Sequence, residues 1–154
     1  MRFHQVRELV SWAADFHSRM AEQYRQLAAT TESERQRMAL EYLAQREDKQ
    51  HSELTRYATE NGDHRAVLET WFDDPTDFPH PPVVERLPGG IGTSEIQDVM
   101  ATALTAHRTL QDLYTHRAER ASGGRELAFF QSLADGHEAE VRHIVRDLQQ
   151  LNAY

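Results

Sequence analysis

Along residues 4–28 apolar side chains fall at Val6, Leu9, Val10, Ala13, Phe16, Met20, Tyr24 and Leu27. That spacing is one face of an α-helix. His17 interrupts the middle of this face, where another aliphatic residue is expected. The arrangement returns ninety residues later: Ile96, Val99, Met100, Ala103, Leu110 and Tyr114 mark a face, and His107 interrupts it at the equivalent point. In both copies the histidine stands seven residues before a tyrosine, two helical turns away on the same side. The chain therefore reads as a duplication with a polar group set into the inner face of each copy.

The first helix is expected to run to about Ala28. Ala29-Thr30-Thr31 breaks it, and Thr31-Glu32-Ser33-Glu34 and Ser33 with Gln36 both have capping-box spacing. A second helix follows, with Met38, Leu40, Leu43, Leu54 and Tyr57 near one face and a stop at Asn61-Gly62. So short a connection forces the two helices together as an antiparallel hairpin. Residues 64–72 suit a short helix. The run from Asp73 to Gly92 then holds all five prolines of the chain and three of its glycines, which excludes a long helix there. A crossover over about residues 62–93 is expected, pinned by Trp71, Phe72 and Phe78. The third helix starts near Ser94, where Ser94-Glu95-Ile96-Gln97 is another capping box, and continues to about Ala121. After Ser122-Gly123-Gly124 the fourth carries Leu127, Phe130, Leu133, Ala134, Val141, Ile144, Val145, Leu148 and Leu151. The expected fold is all-α: one domain over residues 1–154, a four-helix bundle of two hairpins joined by a long crossover.

Composition narrows the chemistry. A formal charge of −8 over 154 residues argues against nucleic acid and against an anionic membrane surface. No apolar run approaches the roughly 20 residues of a membrane span. No signal peptide is evident, so a cytoplasmic location is the default expectation. Cysteine is absent, which removes disulfides, thiol chemistry and iron–sulfur clusters and leaves His, Asp and Glu as the strong metal ligands. Gly89-Gly90-Ile91-Gly92 lacks the lysine and the preceding strand of a phosphate loop, and Ser18 and Ser94 have no nucleophile setting.

On an ideal helix Glu47 falls near the centre of the second apolar stripe, flanked by Gln50 and His51. His137 falls at the centre of the fourth, flanked by Glu140 and Val141. Counted from the hairpin loops, His17 and Glu47 lie within about one turn of the same level, and so do His107 and His137. Each helix thus offers one titratable side chain to a single cross-section, with Glu140 and His51 close by. Burying such groups is costly unless they pair. Two partners are available, one another or a metal ion, and the coincidence of four at one level favours the metal. His4, His64, His80, His116 and His143 fall elsewhere and are expected at solvated positions. Asp48 and His51 have the spacing of a ligand pair, but Asp48 points away from the stripe. Tyr24 and Tyr114 are expected as core aromatics whose hydroxyls find a partner.

The paired segments RMAEQYRQLA with LEYLAQREDKQH, and TLQDLYTHRAER with FFQSLADGHEAE, resemble the ferritin-like superfamily, most closely its rubrerythrin-like branch. The resemblance covers nearly the whole chain. It implies two metal ions, usually iron, held mid-bundle by a Glu from the first and third helices and an ExxH from the second and fourth. Here His17 and His107 stand at the two Glu positions. Glu47 matches the first ExxH, but Gln50 stands at its His position, with His51 next. The fourth helix reads His137-Glu-Ala-Glu140, in reverse order; Glu140-Val-Arg-His143 has the letters in a shifted register. Imidazole-rich ligation suits zinc, copper, nickel or a single ferrous ion better than a carboxylate-rich di-iron pair.

The expected metal ligands are therefore His17, Glu47, His51, His107, His137 and Glu140, with iron or zinc as the metal. The role implied is metal handling or oxidative-stress defence. Paired bundles are common in the branch, so a homodimer is expected. The competing expectation is a non-catalytic helical module for self-association or a protein partner, in which the polar residues bond one another.

Overall fold

A computed structural model of the chain describes residues 2–59, 64–78 and 96–152. These form α1 (Val6–Thr30), α2 (Glu34–Thr59), α3 (Arg65–Leu68), α4 (Ile96–Glu119) and α5 (Gly124–Asn152). The described residues contain no strand, only one isolated bridge between Gln5 and Trp71, so the all-α class holds. The Asn61-Gly62 stop, the capping box at Ser94, His80 and most of the proline-rich connection lie outside the described residues.

Three residues separate α1 from α2. Thr31 turns extended and its N–H still reaches the Leu27 carbonyl at 3.0 Å. Of the two capping boxes, the one on Ser33 sets the start of α2, its hydroxyl accepting from the Gln36 N–H at 3.3 Å. The Thr31 hydroxyl donates to the Gln36 side chain at 2.8 Å instead. At the other end of the molecule Glu126 reaches back to the N–H and hydroxyl of Ser122, at 3.0 and 2.9 Å, and secures the first turn of α5.

Over 64–72 the pattern predicts one short helix, and the chain makes a single turn. The reason is backbone pairing with the N-terminal segment: the Val6 N–H donates to the Thr70 carbonyl at 3.0 Å and the Phe72 N–H to His4 at 2.8 Å. In an extended segment neighbouring side chains face opposite ways. Phe72 turns inward with Phe78, and Trp71 is left 68 % exposed, so two of the three expected aromatic anchors hold.

α1 lies along α2 and α4 along α5, while α2 touches both α4 and α5. The buried apolar side chains make one cluster, with Leu9, Phe16 and Met20 from α1 and Leu40 and Leu43 from α2. Leu110 and Leu113 come from α4, and Phe130 and Ile144 from α5. Met38 and Leu127, which periodicity places on inner faces, are instead 49 % and 47 % exposed. Both sit within the first two turns of their helices, near the ends of the hairpins. None of the described helices is long and apolar enough to cross a membrane.

Candidate functional site

One titratable side chain from each long helix reaches the centre of the core. His17 (α1), Glu47 (α2), His107 (α4) and His137 (α5) are all buried. Apolar periodicity carries them there, since each stands in the stripe that its helix must bury. They are joined in series. The His17 Nδ1–H donates to Glu47 Oε2 at 2.5 Å, and His107 Nε2–H donates to Glu47 Oε1 at 2.7 Å. On its other side His107 Nδ1 meets His137 Nδ1 at 3.0 Å. The rings of His17 and His137 lie nearly parallel, 5.6 Å apart, which closes the group.

Electrostatics sorts the protons. Burial raises the Glu47 carboxyl, but the charges of His107 and His17 and their hydrogen bonds outweigh it, and the group is held well below the usual carboxylate range. Burial lowers His107; the adjacent Glu47 carboxylate opposes this and prevails, so its pKa stands above the ordinary imidazole value. Burial, reinforced by the charges of His107 and His17, holds His137 far below that value. The three directions agree with the hydrogen bonds: the layer favours the ionised form of Glu47, the protonated form of His107 and the neutral form of His137.

Three buried polar atoms of the layer and its flanks find no partner among the described residues: His17 Nε2, Tyr24 Oη and Tyr114 Oη. The two hydroxyls were expected to be bonded. Each such group costs roughly 1–3 kcal/mol. Burial, with the Glu47 charge for Tyr24, pushes both phenols up and keeps them protonated. The Tyr114 ring is 5.4 Å from that of His137.

The other two expected ligands are engaged elsewhere. Glu140 is buried but held by Arg46 of α2 through two contacts, Nε to Oε1 at 2.6 Å and Nη2 to Oε2 at 2.5 Å. His51 Nδ1 donates to the Ala14 carbonyl at 2.8 Å. Asp48 pairs with Arg25 at the surface. Arg46 is the functional residue that sequence reasoning missed, and the signal was present: a buried Glu140 needs a cation, and Arg46 precedes Glu47 at the same level. His116, expected to be solvated, donates from Nε2 to Asp77 at 2.9 Å. His64 packs on Tyr57 and Phe129, while His4 and His143 are exposed.

His107 uses opposite ring nitrogens toward Glu47 and His137, so one ion cannot take all four side chains as they stand. Among the described residues no group of three or more His, Asp or Glu is arranged to hold a metal. The donor types nonetheless suit one. Three imidazoles and a carboxylate in a buried layer match a single transition ion, and His17 Nε2 has a lone pair or proton with nothing to meet.

Comparison with protein-family models, curated proteins and solved structures returns no match for this chain. Fold and site together define a class: an all-α protein whose four long helices are tied by one hydrogen-bonded His/Glu layer.

Proposed function

We propose that this chain is a ferritin-like four-helix bundle whose core layer binds a single transition-metal ion, zinc or iron, in a metal-handling or oxidative-stress role. The observation that carries the proposal is the meeting of His17, Glu47, His107 and His137, one from each long helix, with His17 Nε2 left unpartnered. These four residues would hold the ion, the imidazoles of His107 and His137 turning to do so. A bound ion supplies a Lewis acid there, and a redox-active one supplies electron transfer. A two-iron centre is less well supported, because Glu47 is the one carboxylate left after Glu140 pairs with Arg46.

A second reading rests on the same hydrogen bonds. With both Glu47 oxygens already satisfied, the layer can serve as a metal-free register device in a self-associating or partner-binding module.

Elemental analysis of untagged protein, with melting curves in the presence and absence of chelator, separates the two. Metal binding predicts about one equivalent per chain, a lower Tm with chelator, and loss of the metal in His17→Ala and His107→Ala. Protein that holds no metal after incubation with zinc, ferrous and cupric salts, and whose Tm ignores chelator, leaves the register device standing alone.

A further inference from the structure

A cleft of about 300 Å³ opens between α2 and α5 and runs down to the polar layer. Arg46, Lys49 and Glu53 line one wall, and His137, Glu140 and His143 line the other. His137 is only 3 % exposed, yet it lines this cleft, while His17, Glu47 and His107 do not. Its Nδ1 is taken by His107, and no hydrogen bond among the described residues engages its Nε2. The floor of the cleft is therefore one end of the layer, an imidazole whose outer nitrogen no described side chain engages.

The other clefts lead elsewhere. The recess of about 450 Å³ around Tyr57, Val67 and Phe129 has mostly apolar and aromatic walls and lacks all four layer residues. The one between α1 and α2 ends on His51, whose Nδ1 the Ala14 carbonyl already holds.

We propose that metal ions reach the layer through the α2–α5 cleft and meet His137 Nε2 first; this rests on the metal-binding reading above. The walls carry donor types suited to passing a cation inward: His143 and Glu53 along the sides and His137 at the floor. They do not gather closely enough to trap it on the way. Two cations, Arg46 and Lys49, and two carboxylates, Glu53 and Glu140, line the cleft, and Arg46 is paired with Glu140, so the formal charge of the walls does not oppose a cation. The net charge of −8 draws cations to the protein generally.

Gly136 gives a direct test. It lines the same cleft, and a Cβ built there meets nothing within 4 Å, so a side chain can start from this position without a backbone clash. Metal-free protein is mixed with cobaltous ion in a stopped-flow instrument, and the visible absorption of the bound ion is followed. Gly136→Phe is expected to slow uptake about 10-fold or more, a range typical of association-rate effects, with the equilibrium affinity retained. Ser132→Trp, on the same cleft, should slow it as well and covers the case that Gly136→Phe folds poorly. Glu138→Phe, an exposed α5 position off the cleft, should bind at the wild-type rate. Wild-type uptake rates in both plugged variants would overturn the route while leaving the metal site intact. A wild-type protein that takes up no cobalt or zinc at equilibrium overturns the metal reading and the route together.

Discussion

Glu47 is the residue on which the layer turns. It is the carboxylate that both His17 and His107 address, and its ionised form is what raises the pKa of His107. Removing one partner of a buried charged set leaves the others uncompensated, which typically costs about 3–5 kcal/mol. Glu47→Ala is expected to lose stability on that scale, and Glu47→Gln less, because an amide still offers His107 an oxygen. Urea denaturation of metal-free protein measures both. A loss below about 1 kcal/mol for Glu47→Ala would mean that water reaches the layer and screens it.

At the scale of elements, the last turn of α4 holds the start of the crossover. The Arg117 guanidinium lies 4.4 Å over Phe72 and 5.4 Å from Phe78, almost fully buried. Burial lowers its pKa, with the charges of Glu126 and Asp77 partly restoring it. Asp77 also takes His116 at 2.9 Å and Arg120 at 2.8 Å, so one carboxylate ties segment 72–78 to three α4-side residues. Arg117→Met keeps the side-chain length and removes a cation–π contact worth about 0.5–2 kcal/mol. Faster amide hydrogen exchange is expected over 70–78, with the middles of α1 and α2 unchanged. Uniform acceleration across all the helices would show that Arg117 supports the whole core instead.

For the molecule as a whole, the layer makes stability depend on pH from both sides. His107 has a raised folded pKa, so its contribution is complete below about 6.5 and is lost as pH rises through the raised value. His137 is held neutral, so below about 6.5 the unfolded chain takes up a proton that the folded one refuses, and stability falls with pH. Glu47, with its depressed pKa, adds a further loss once pH drops below about 4.3. Metal-free protein should therefore be most stable near neutrality, with the steeper decline on the acid side. Melting temperatures across pH 4–9 test this, and a flat profile would contradict a buried, coupled layer.

The described helices, the breaks within each hairpin and the four inward polar residues follow from the sequence because they depend on local rules. A stripe every three to four residues must be buried, so a polar residue within it goes inward too, and counting from the loops gives its height. The rest was decided only when helices met. Whether Glu140 faces its neighbours in the layer or Arg46 depends on the relative rotation of α2 and α5, which no single-helix pattern contains. Backbone pairing with the N-terminal segment cut the 64–72 helix to one turn and sent Trp71 outward. The order His17, Glu47, His107, His137 is likewise a property of four packed helices: each ring nitrogen takes the partner that packing leaves within reach.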